Sequence, residues 1–191
     1  MAIEIQPLPL SLLVDLVNGW GTVPRAKADA RDRPPLTAFT ERHPGSDTGL
    51  TDTALERVAD AVYPVFAAGG SAERARLVTD LMTRARIQPA LGVADGRIRP
   101  SWLVARQRDA LLAAAAVALH TQLVEHDPER LGTCASTSCG DAFADASPGA
   151  QRRFCSVTCQ NRERVAAFRR RKAGVPAGSA AARRRPQVDG R

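Results

Sequence analysis

All four cysteines of the chain, Cys134, Cys139, Cys155 and Cys159, fall in one short window. Their spacing is Cys-x4-Cys, fifteen residues, then Cys-x3-Cys. Two close pairs separated by a loop of this size fit a two-knuckle metal site. Zinc takes four soft ligands at tetrahedral corners, and each knuckle can deliver two thiolates. The residues around the pairs, "CASTSCG" and "FCSVTCQ", are small or turn-forming, and Gly140 suits a tight reversal. A four-thiolate site leaves no open coordination position, so the expected Zn2+ is single and structural rather than catalytic. Two disulfides would need an oxidising compartment. A nucleophilic cysteine would need a His or acid partner, and His120 and His126 stand in no recognisable motif. An Fe–S cluster stays open as a four-thiolate alternative, although the spacing favours zinc.

Charge divides at the same place. Residues 1–151 hold 15 Lys/Arg against 18 Asp/Glu, a net −3, and residues 152–191 hold 12 against 2, a net +10. A mildly acidic body with a strongly basic end points to a polyanionic partner, nucleic acid first. The alternative is a solvated basic tail. The basic end begins as a helix, predicted over Asn161–Lys172. Val165 and Phe168 form a narrow apolar seam, and Arg162, Arg164, Arg169, Arg170, Arg171 and Lys172 take much of the rest. Cys159 stands at or near its start, so the metal would fix its position. With Arg152 and Arg153, these cations are the candidate nucleic-acid contacts. The competing expectation is a helix that packs on the knuckle and keeps its arginines in water. From position 174 the chain reads as a disordered basic tail.

The remainder is long enough to bury a core without staples. "LSLLVDLVNGWG" predicts a helix with Leu12, Leu13, Leu16, Val17 and Trp20 on one face. A Pro- and Gly-rich loop follows, with a short extended piece near Thr37–Phe39. A second helix, capped by Thr51 or Asp52, carries Leu55, Val58, Val62 and Phe66, with Pro64 expected to kink or shorten it. A third, capped by Ser71, turns Leu77, Leu81 and Met82 inward. "ADG" marks a hairpin turn, and the longest helix is expected over Trp102–His126. Alanine is abundant, which we read as a coding bias that carries little structural weight. The start has no basic segment before its apolar stretch, and no run approaches the roughly 18 apolar residues of a membrane span. A cytoplasmic location without membrane attachment is the expectation. No phosphate loop, nucleophile elbow or dinucleotide fingerprint points to an enzyme.

The cysteine segment resembles the CGNR-type zinc finger of bacterial transcriptional regulators. That module reads Cys-x4-Cys, then Phe-x-Asp-x-Ser, Arg-Arg-aromatic-Cys-Ser, and Cys-Gly-Asn-Arg leading into a basic helix. Phe143, Asp145 and Ser147 match the second part, Arg152, Arg153, Phe154, Cys155 and Ser156 the third, and Cys159, Asn161 and Arg162 the signature. Gln160 stands where the signature has glycine, and three rather than four residues separate Cys155 from Cys159. "LSLLVDLVNGWG" resembles, more weakly, the opening of ABATE, a stress-induced transcription regulator domain that accompanies such fingers. The resemblance implies an α+β protein: a mainly helical N-terminal domain with a small antiparallel sheet or hairpin (1–128), a small treble-clef-like zinc finger (129–173) and the tail (174–191). It implies a DNA-binding regulator, with an effector at the N-terminal domain and a homodimer as expectations by analogy. A zinc-scaffolded protein-interaction or RNA-binding module is the alternative.

Overall fold

Apolar residues spaced along one face make the first helix, α1 (Leu10–Trp20), the floor of the body. Leu12, Leu13, Leu16, Val17 and Trp20 are all buried, as their spacing predicts. The computed structural model describes residues 2–27, 34–37 and 50–172. Helix α2 (Thr22–Lys27) follows directly. Leu36 and Thr37 are helical rather than extended, and the rest of the extended piece expected near Phe39 lies outside the described residues, as does the tail.

Helix α3 (Asp52–Ala67) begins at Thr51, whose hydroxyl accepts from the Ala54 N–H at 3.1 Å. It buries Leu55, Val58, Val62 and Phe66 and runs past Pro64 without being shortened there. Helix α4 (Ser71–Arg84) departs from expectation in its cap. Gly70 is the N-cap, and the Glu73 carboxylate reaches back to accept from the Gly69 N–H at 2.9 Å. Its inward residues are Val78 and Leu81, with Leu77 and Met82 only partly buried. Arg74 is also inside, at 4 % exposure. It donates to the carbonyls of Val65, Ala68 and Leu131 and to Glu129. One guanidinium thereby satisfies carbonyls at the end of α3 that the helix leaves without partners.

Three antiparallel strands, β1 (Ile3–Glu4), β2 (Gln88–Ala94) and β3 (Arg97–Val104), pair in the order β1-β3-β2. Asp95 and Gly96 both take positive φ, at 52° and 71°, as a two-residue hairpin turn requires. The long helix, α5 (Gln107–Glu125), starts later than predicted. Leu103 and Val104 pair with Glu4 and Ile3, so a distant strand holds this segment extended. Ala113, Ala115, Ala116 and Ala118 are buried along α5 beside Val117 and Leu119. The alanines therefore do carry structural weight: small side chains let α5 sit deep in the core.

A turn at Pro128–Arg130 leads into β4 (Leu131–Thr133), paired with β5 (Ala142–Ala144). Helix α6 (Val157–Lys172) ends the described chain. The described residues are thus mostly helical, with two small antiparallel sheets and a cysteine cluster near the C-terminal end. No helix among the described residues is long and apolar enough to cross a membrane.

Candidate metal centre

Local geometry brings the two cysteine pairs together. Cys134 and Cys139 sit in the loop of the β4–β5 hairpin, where the Cys134 N–H donates to the Asp141 carbonyl and the Cys139 N–H to the Ser136 carbonyl. Cys155 lies just before α6 and Cys159 in its first turn. Ser156 caps that helix: its hydroxyl accepts from the Cys159 N–H at 3.2 Å. The x3 spacing therefore places Cys159 beneath Cys155 through one capped turn, with the sulfurs 3.6 Å apart.

All four sulfurs lie within 4.8 Å of one another, and Cys139 and Cys155 are 3.7 Å apart. A tetrahedron with Zn–S bonds of about 2.3 Å has S–S edges of about 3.8 Å. A disulfide needs about 2.05 Å. The observed separations suit four ligands around one ion, and all four thiols are free. Burial pushes the Cys139 thiol up to about 12, and burial with hydrogen bonds to its neighbours also raises Cys155. Cys159 goes the other way: burial opposes its ionisation, but hydrogen bonds from Ser156 and the neighbouring thiols outweigh that. So crowded a set of desolvated sulfurs cannot all ionise without a cation, and zinc supplies that charge. The Cys155 N–H already points at the Cys134 sulfur, at 3.4 Å.

The cluster is tied to the body on one side and to α6 on the other. Leu131 and Ala142 join the main core, each 1 % exposed. Asn18 of α1 donates to the Ala142 carbonyl at 3.0 Å and accepts from its N–H at 2.7 Å. The Tyr63 hydroxyl donates to the Gly140 carbonyl at 3.0 Å. Gly140 is favoured by close approach rather than by its φ. A Cβ there would stand 3.0 Å from the Val23 carbonyl oxygen and 3.3 Å from Pro24 Cα. On the α6 side, the single acid of the helix, Glu163, takes one carboxylate oxygen to the first knuckle. It accepts from the Ser136 hydroxyl, the Thr137 N–H and the Thr137 hydroxyl. Those donors, the Thr137 N–H foremost, hold its pKa below the ordinary value.

The candidate cations divide by what they touch. Arg152 is exposed but lies back along the finger, donating to the carbonyls of Phe154, Ala144 and Cys155 while its guanidinium lies 5.2 Å from the centroid of the Phe143 ring. Phe143 in turn covers Gly132, where a Cβ would meet the ring at 2.8 Å. Arg153 lies 6.0 Å from the centroid of the Phe154 ring. Arg162 donates to the Ser138 hydroxyl at 2.9 Å, on the wall of a cleft of about 920 Å³ between α1 and the finger. Arg164, Arg169, Arg170, Arg171 and Lys172 are exposed, and their side chains make no hydrogen bond to another described residue. Val165 and Phe168, at 47 % and 60 % exposure, do not pack on the knuckle.

Sequence reasoning missed the anchoring role of Glu163, the clamp by Asn18 and the Asp145 hub. Asp145 is buried and accepts from the N–H groups of Ser147 and Arg152. Those bonds, with the Ser147 hydroxyl foremost, hold its carboxyl down at about 2. The Phe-x-Asp-x-Ser spacing was the available signal for that hub.

Residues 130–172 match the model of the family described as CGNR zinc finger. No curated protein matches the chain. The match and the converging sulfurs together identify a zinc-binding finger with one site made by Cys134, Cys139, Cys155 and Cys159.

Proposed function

We propose that the chain is a zinc-dependent, DNA-binding transcriptional regulator in which the metal holds α6 against duplex DNA. One observation carries this reading. The helix is fixed at its first two turns by Cys159, Arg162 and Glu163, and beyond them it presents five exposed cations whose side chains make no hydrogen bond to another described residue, Arg170 also attracting Glu163 through space. Sixteen residues span about 24 Å, and an α-helix fits the major groove. Arg164, Arg169, Arg170, Arg171 and Lys172 would meet phosphates or base edges, and the exposed Val165 and Phe168 suit thymine methyl groups. Arg152 would act by shaping the finger more than by touching DNA. The body, read as an ABATE-type sensor, would signal through the cleft, where Leu10, Val14 and Asn18 face Phe143, Cys159 and Arg162. A small effector seated there would touch both α1 and the root of the basic helix.

The test is fluorescence anisotropy of the zinc-loaded protein on duplex DNA from upstream of its own gene, beside a shuffled duplex, over a salt series. Tighter binding to the native duplex at physiological salt is expected. Arg169→Ala with Arg170→Ala should flatten the slope of log K against log salt by about 2. An unchanged slope removes this helix from the surface. Glu163→Ala separates orientation from bulk charge. Removing an acid strengthens binding if only net charge matters, and weakens it if the carboxylate aims the helix. RNA or an acidic protein displacing the duplex at equal salt would replace the regulator reading with an interaction module.

A further inference from the structure

The sheet is covered by helix only near its base. Val104 is 1 % exposed, and the Trp102 ring meets His120 of α5 with centroids 5.4 Å apart. Alternate residues of a strand share a face, so Pro100 and Ile98 carry that same face outward. The register sets Leu91 opposite Pro100 and Val93 opposite Ile98, and opposed residues point to the same side. Past Trp102 the cover ends, leaving Leu91 and Val93 each 77 % exposed and Ile98 70 %. Gly92, Arg97 and Arg99 take the other face. The hairpin is thus an extension of the core-facing side of the sheet beyond the body.

Its outer strand is also unguarded. Among the described residues β2 is an edge of the sheet, and Gln88–Ala94 contains no charged residue. Edge strands that stay single usually carry charge, a bulge or a proline, or are very short. Here Pro89 guards only the base. The Asp95–Gly96 turn fixes the hairpin in advance, so a partner strand would find a preformed edge.

We infer that β2 pairs with β2 of a second copy of the chain about a two-fold axis, joining two three-stranded sheets into one of six strands. Charge selects this occupant. A surface that pairs with itself must not set like charges face to face, and β2 has none. Arg97 and Arg99 lie on the neighbouring strand and the opposite face. A nucleic acid finds no cation on the apolar side. Antiparallel pairing centred on Gly92 sets Leu91 of one copy against Val93 of the other, with Ile98 alongside. The three side chains expose on the order of 400 Å² per copy, about half of what each partner gives to a standard interface. Backbone pairing adds to this. The inference does not depend on DNA binding.

Sedimentation equilibrium of the full zinc-loaded chain, up to about 200 μM, is the experiment. The expected result is a monomer–dimer equilibrium that Val93→Lys weakens at least about 30-fold, by placing like charges at the seam. Both positions are exposed, so circular dichroism and melting temperature should stay unchanged in Val93→Lys and in the opposite-face control Arg99→Glu. The control should also leave the dimer intact. A chain that remains monomeric over the range overturns the inference. So does a dimer indifferent to Val93→Lys, or hairpin-dependent binding to lipid vesicles by a protein that does not self-associate.

Discussion

Asn18→Ala should unfasten the finger from the body. The Asn18 carboxamide donates to the Ala142 carbonyl at 3.0 Å and accepts from the Ala142 N–H at 2.7 Å, across 124 positions of sequence. It therefore stands where a third strand would stand beside β5. Ala142 is 1 % exposed, so the truncation strands two buried backbone groups. Each such group costs about 1–3 kcal/mol. Asn18 borders the open cleft, and water entering there holds the total towards the lower end, about 3 kcal/mol. Urea unfolding followed by circular dichroism is the assay. With an m value of about 2–3 kcal/mol/M for a chain of this size, the midpoint should fall by about 1–1.5 M. The melting temperature should fall by about 6–12 °C. Asn18→Asp should do no better than Ala, because a carboxylate cannot donate to the Ala142 carbonyl and repels it. The exposed Asn161→Ala is the control, expected within about 0.5 kcal/mol of the parent. An Asn18→Ala loss no larger than that control refutes the clamp.

Gly140→Ala should cost about 1–3 kcal/mol in the same assay, because two of the three atoms crowding the new Cβ belong to the backbone of Val23 and Pro24 and only the Lys27 side chain can swing aside. A neutral result would mean that the knuckle can lift off α2 freely. Zinc affinity should fall steeply with acid. The raised Cys139 and Cys155 thiols hold their protons at neutral pH, so binding expels at least two, and affinity should drop about 100-fold per pH unit below neutrality. Competition with a chromophoric chelator measures this, and a flat profile would contradict a thiolate site. In the chelated protein the sign at high pH follows from the same group. The folded Cys139 value lies above the ordinary 9.0, so its contribution to stability is full below 9 and disappears as pH rises towards about 12. Urea midpoints over that window should decline, and a rise would reverse the assignment.

The sequence by itself determined what depends on neighbours in the chain. Cys-x4-Cys and Cys-x3-Cys are local knuckles, and only one loop had to close to unite them. The inward face of α1 was readable because its residues recur at helical spacing, and the hairpin because Asp95 and Gly96 tolerate positive φ. Tertiary structure decided everything that needed a distant partner. Leu103 and Val104 belong to a strand because Glu4 and Ile3 pair with them, and Gln88 pairs with Leu103 from the other side. Arg74 is buried only because three carbonyls and Glu129 surround it. Arg152 counts among the cations by composition, yet three carbonyls and the Phe143 ring fasten its exposed side chain along the finger. Glu163 reads as a lone acid in a basic helix, and its three donors lie 26 and 27 positions away. Periodicity records which side of an element is apolar, and spacing records which ligands are close. Neither records what comes to cover that side, and a polar group's role depends on the partner that folding brings to it.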